Sequence, residues 1–207
     1  MNSSVQYRCQ QCGFCCQTKY LCLYATELKR AKYYAAKYNR TLKLEPLRRI
    51  IDEKNQKIIV LIYRVKERPC PFFLDHQCMI HNDKFVACRK YPISNWIDLG
   101  KLFTFLGLTS EFYEVDENCS FIKTHTPFKE AMKTNKLSDL LPNEFKATLE
   151  DKRIWLDLFH QLKLLEKENK IQPLKETKLK KANFKALEEI LRKWEEIAAT
   201  DFLRDIK

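Results

Sequence analysis

Glycine is scarce: the 207 residues contain only Gly13, Gly100 and Gly107. The common nucleotide-binding and methyltransferase loops place several glycines close together so that the backbone can approach a phosphate, so this class of loop is excluded. A Cys-x-x-x-Cys-x-x-Cys triplet is also missing, which removes the radical S-adenosylmethionine signature. No apolar run approaches the roughly 20 residues that cross a bilayer. The longest clear one, 58–63, is strand-sized. Residues 1–7 have neither a basic nor an apolar leader region, so no signal peptide is expected and the chain reads as cytoplasmic, without membrane association.

Cysteine, in contrast, is abundant at nine residues, and four of them fall within eight positions, Cys9-Gln10-Gln11-Cys12-Gly13-Phe14-Cys15-Cys16. Packing alone does not call for thiols at that density. In a reducing compartment such a pattern points to metal rather than disulfides, and an odd count with a vicinal pair agrees. Cys9, Cys12 and Cys15 recur at every third residue, the spacing that bacterial ferredoxin loops use to turn thiolates onto one centre. Gly13 suits the tight path such a loop must take. Cys16 follows Cys15 directly and is expected at a second centre or a different corner. Downstream lie Cys70, Cys78, Cys88 and Cys119, with Cys22 as the odd one out. Four plus four suggests two four-ligand sites, or one cluster and one zinc. Cys70, followed by Pro71 as in ferredoxin runs, is the expected completion of the first set, leaving Cys16, Cys78, Cys88 and Cys119 for the second.

Net charge is +11, and it is uneven. Residues 1–126 carry 20 Lys and Arg against 12 Asp and Glu, whereas 127–207 carry 18 against 15. Eight ligating thiolates would offset the excess in the first part. The lysines are dispersed and no nucleic-acid motif accompanies them, so nucleic acid is not an expected partner.

Local patterns predict an α+β fold. Thr26 is placed to cap a helix to about Asn39 with Leu28, Ala31, Ala35 and Tyr38 on one face. A short helix is expected after Pro46, a polar turn at 52–56 and a strand over 57–65. The prolines flanking Cys70 put it on a loop. Further strands are expected at 101–108 and 112–115. Two helices then follow, one from Pro142 to about 168 with Phe145, Leu149, Trp155, Leu156, Phe159, Leu162 and Leu165 inward, the other from Pro173 with Phe184, Leu187, Leu191, Trp194, Ile197 and Ala198. This reads as a small cysteine-rich domain with a short sheet over 1–126, then a C-terminal helical hairpin over 127–207 available to a protein partner or substrate.

The blocks Cys9-x-x-Cys12-x-x-Cys15-Cys16, Cys70-Pro71-Phe72-Phe73-Leu74, Cys78-x-Ile80-His81 and Cys88-Arg89-x-Tyr91-Pro92 together resemble the CxxCxxCC cysteine-cluster family, a zinc- or iron-chelating domain also called the YkgJ family. The resemblance covers about 9–119. His81 stands where that family usually has tyrosine, and Lys84-Phe85 where it usually has Arg-Pro. The family includes flagellin lysine methylases, whose cysteine motif is associated with an iron–sulfur cluster. The resemblance therefore implies metal chelation, with a lysine methylase-like activity as one alternative. The expected ligands are Cys9, Cys12, Cys15, Cys16, Cys70, Cys78, Cys88 and Cys119. An iron–sulfur cluster, 4Fe–4S favoured, serves redox or cluster-dependent modification; the other alternative is a zinc-stapled interaction module. Arg89 is expected either to bond a cluster sulfur or to form an ordinary ion pair.

Overall fold

The computed structural model describes residues 6–98, 111–174 and 184–206. The chain is α+β, as the sequence predicts, and divides into two compact units interleaved in sequence. The first comprises Met1–Leu21 and Arg68–Lys152, the second Cys22–Glu67 and Arg153–Lys207. A division at 126/127 separates cysteine-rich from helix-rich sequence; the compact units cut across it, and residues 127–152 count with the cysteine-bearing unit.

The second unit is built on the strand Lys57–Val65, which forms where Ile, Val, Leu and Tyr are concentrated. It pairs antiparallel with Leu44–Asp52 along one edge. Its other edge is shared between Cys22–Tyr24, opposite Ile62 to Arg64, and Glu195–Ala198, parallel to Lys57 to Val60. With partners on both edges, Ile58, Ile59, Val60 and Leu61 are all at most 2% exposed, each such side chain contributing roughly 1.5–3 kcal/mol. Asp52, fully buried, accepts from the backbone N–H groups of Lys54 at 3.2 Å and Gln172 at 2.8 Å, pinning the turn to the strap after the long helix.

Three local expectations differ here. The segment after Pro46 is strand, not helix: proline is tolerated at an irregular position, and the register shifts between Pro46 and Arg48. The helix Phe184–Leu191 stops early, and Ile197 and Ala198 lie in a strand because the edge of Lys57–Val65 takes them as partners. The helix Leu28–Lys37 is preceded by a 3-10 turn, Ala25–Glu27, where Glu27 rather than Thr26 accepts the Tyr24 N–H, at 3.2 Å. Its buried face is Leu28, Ala31 and Ala35. The strand expected over 101–108 lies outside the described residues.

In the first unit the elements are short. The strand Ile93–Asp98 pairs with Glu111–Val115, and a core of Tyr7, Ile93, Cys119, Phe121, Ile122, Phe128, Leu140 and Leu141 gathers around the helices Ser120–Thr124, Thr126–Thr134 and Leu137–Leu140. The long helix, Pro142–Lys167, has the expected extent and part of the expected buried face: Leu162 and Leu165 are buried, and Phe145 and Trp155 half-buried. Leu149, Leu156 and Phe159 are exposed, whereas Ala147, Thr148, Asp151 and Leu158 are buried. Polar residues can face inward because Asp151 is paired with Lys90 at 2.7 Å and Thr148 Oγ1 donates to the Glu144 carbonyl at 2.9 Å. No described helix is long and apolar enough to cross a membrane.

Candidate metal centre

Gly13 starts the construction of the site. Its φ of +74° is a left-handed conformation that glycine adopts without strain, and it starts the short helix Phe14–Thr18. Cys9 and Cys12 precede that helix in irregular chain; Cys15 and Cys16 lie in its first turn. Adjacent side chains on a helix diverge by about 100°, not the 180° of a strand. Both thiols therefore face the same space, with their sulfurs 4.0 Å apart, and Cys16 is not turned away from Cys15.

Cys70 follows on the proline-flanked loop expected for it, its N–H donating to the Cys16 carbonyl at 2.7 Å. The next block is a two-residue hairpin, Phe73–Leu74 against Gln77–Cys78, turning through Asp75 and His76 at φ of 46° and 61°. That is the geometry of a primed turn, and Asp and His are among the residues that adopt it. His76 is thus a turn residue, and Cys78 is carried opposite Phe73. Cys88 sits on the helix Val86–Arg89, anchored by buried Phe85, whose ring centroid is 5.9 Å from that of Phe72. Cys119 immediately precedes the helix Ser120–Thr124.

These segments close around one cavity of about 60 Å³, lined by Cys9, Cys12, Cys15, Cys16, Cys70, Cys78, Cys88 and Cys119. Cys22 belongs to the other unit. All nine cysteines are thiols without disulfides. Among the described residues no three His, Cys, Asp or Glu side chains converge on a point at metal-ligand distance. As a donor set the thiols are soft sulfur, the chemistry that selects zinc or iron–sulfur centres.

Their electrostatics are coupled. Hydrogen bonding from Cys16 lowers Cys15 to about 7 and Cys78 to about 6, with Lys84, also on the cavity wall, adding to both. Cys16 is pushed up by the same two hydrogen bonds and by burial, so it keeps its proton. Burial raises Cys70 to about 11 and also raises Cys119. His81 lines the cavity too, held below its ordinary value by burial and then by Lys84.

Arg89 does not line the cavity. Its guanidinium grips Glu150 through two hydrogen bonds of 2.8 and 2.6 Å, and Lys90 takes Asp151 alongside, so this pair ties the Cys88 helix to the long helix. Of its two expected roles, the structure shows the ion pair. Tyr91, within the Cys88 block, and Lys84 line the cavity, and Tyr7 and Ser120 are at the site without having been singled out by the sequence; their place within two residues of Cys9 and Cys119 is the hint available for those two.

A family model described as "Putative zinc- or iron-chelating domain", CxxCxxCC, matches residues 8–120. The chain belongs to the CxxCxxCC family. Comparison with curated proteins and with solved structures returned no match. In this CxxCxxCC protein the matched region ends just past Cys119 and so takes in all eight thiols of the cavity.

Gly13→Ala gives a direct test of the turn. A Cβ there would lie 2.3 Å from two ring carbons of Phe73, besides forcing a left-handed conformation that costs about 1–2 kcal/mol. Phe73 must move, and it is paired with Cys78. Calorimetry should show the first unit destabilised by about 2–3 kcal/mol.

Proposed function

We propose that this protein holds an iron–sulfur cluster, of the 4Fe–4S type, and uses it for electron transfer or for a cluster-dependent modification. One observation carries the reading: eight of nine cysteines line a single cavity. Structural zinc is typically held in closed tetrahedral four-ligand sets, whereas thiols spread along one shared wall suit a polynuclear centre. When bound, the cluster supplies one-electron chemistry. The chain supplies thiol ligands from the Cys9–Cys16 segment, the Cys70 loop, the Cys78 hairpin and the helices at Cys88 and Cys119. Phe72, Ile80 and Phe121 keep water from the inner wall, and Lys84 offsets negative charge.

A second reading, a zinc-stapled module that docks a protein, is favoured by the exposed Leu149, Leu156 and Phe159 of the long helix. Purification without oxygen followed by elemental analysis separates the two. About four iron and four sulfide per chain, with visible absorption that bleaches on reduction, is the expected result. A colourless protein with about two zinc ions would overturn it.

A further inference from the structure

Two hydroxyl groups reach cavity thiols. The Tyr7 hydroxyl lies 3.5 Å from Cys119 Sγ, and Ser120 Oγ donates to Cys12 Sγ at 3.0 Å. Tyr7 is held rigidly: it is 7% exposed, its ring meets Phe121 edge-on with centroids 5.2 Å apart, and its N–H donates to the Leu140 carbonyl at 2.9 Å. Cys119 and Ser120 are neighbours in sequence, which brings Cys12 and Cys119 to one side of the cavity. Cys9, two residues after Tyr7, lines the same cavity. Cys70 lies elsewhere on the wall: its backbone N–H donates to the Cys16 carbonyl, and it lines a second small cavity with Cys15, Cys16 and Cys88, which Cys9, Cys12 and Cys119 do not reach.

We propose that Cys119, rather than Cys70, joins Cys9 and Cys12 as ligands of one centre, and that the Tyr7 and Ser120 hydroxyls hydrogen-bond its thiolates and set its reduction potential. This rests on the iron–sulfur reading. A hydrogen bond to a ligand thiolate favours the more negatively charged reduced state, so each donor raises the potential. Tyr7 and Ser120 act through ligands and are positioning residues. Their removal changes the potential without removing a ligand.

The test compares anaerobically purified wild type, Tyr7→Phe, Ser120→Ala and the double variant, with Ser138→Ala, whose hydroxyl donates to Asp139 instead of a thiol, as control. Iron and sulfide are assayed, and the midpoint potential is read by optical titration. Unchanged iron and sulfide are expected, with the midpoint moved to more negative values in each single variant, further in the double and not in Ser138→Ala. Cys119→Ser should lower iron as far as Cys12→Ser does. Ser120 is at the surface end of the pair, so Ser120→Ala tests the idea even if Tyr7→Phe folds poorly. Intact clusters with unshifted potentials would overturn the tuning role, and full iron in Cys119→Ser would overturn the ligand role. Wild type without iron and sulfide would instead overturn the cluster reading beneath both.

Discussion

Stripping the metal from the native protein should unfold the cysteine-bearing unit and leave the second unit, built on Lys57–Val65, folded. The first unit contains strands of two residues, Phe73–Leu74 and Gln77–Cys78, and helices of four or five, Val86–Arg89 and Phe14–Thr18. Elements that short have no stability of their own. Around the cavity, eight thiols stand together, and any that ionise repel one another unless a cation intervenes. Binding of a structural metal contributes about 10–16 kcal/mol in small thiolate sites, as much as the roughly 5–15 kcal/mol that a whole domain has to spare. The second unit has two nine-residue strands, of which the central one, Lys57–Val65, buries Ile58, Ile59, Val60 and Leu61, and it contributes only Cys22 to the thiol count. Hydrogen exchange before and after metal removal measures the difference. Amides of 14–18, 73–78 and 86–89 should lose protection by orders of magnitude, while those of Lys57–Val65 keep theirs. Equal loss in both units, or none in the first, would refute the expectation.

The cavity was legible in the sequence to the extent that chemistry sets it. Thiols at every third residue, a glycine where the chain must turn, and prolines around Cys70 are local signals, and each marks a feature of the wall. The strand Lys57–Val65 was legible for the same reason, since its apolar run needs no partner to be recognised. What failed depended on partners distant in the chain. Glu195–Ala198 has helical spacing but is taken up by a strand edge nearly 140 residues earlier. The long helix turns Thr148 and Asp151 inward because Lys90 waits there, a fact no hydrophobic count contains. Likewise Tyr7 reaches Cys119 across 112 residues. That Cys15 and Cys16 share one helical turn, with their sulfurs 4.0 Å apart, was not legible from their adjacency alone.

Cys16 is consequently the thiol whose loss should be felt most widely, and Cys22 the one whose loss should pass unnoticed at the site. Cys16 Sγ lies 4.0 Å from Cys15, shares hydrogen bonding with Cys78, and its carbonyl holds the Cys70 backbone. Cys16→Ser replaces a soft, polarisable donor with a smaller oxygen that gives up its proton far less readily, so a ligand is lost. Disturbing groups that merely support a ligand costs 10–100-fold in affinity, and losing the ligand should cost at least the upper end of that range, about 100-fold. Cys22→Ser changes a half-buried residue at the end of a short strand in the other unit, where the expected cost is about 1 kcal/mol of stability with metal content unchanged. Metal per chain after dialysis against a graded chelator series reads both variants on one scale. If Cys16→Ser retains metal as wild type does, the cavity is not the binding site. If Cys22→Ser loses metal in parallel, the second unit supplies a ligand and the eight-thiol assignment is incomplete. With Cys16→Ser depleted and Cys22→Ser replete, the line between the two units is also the line between the thiols that bind metal and the one that packs.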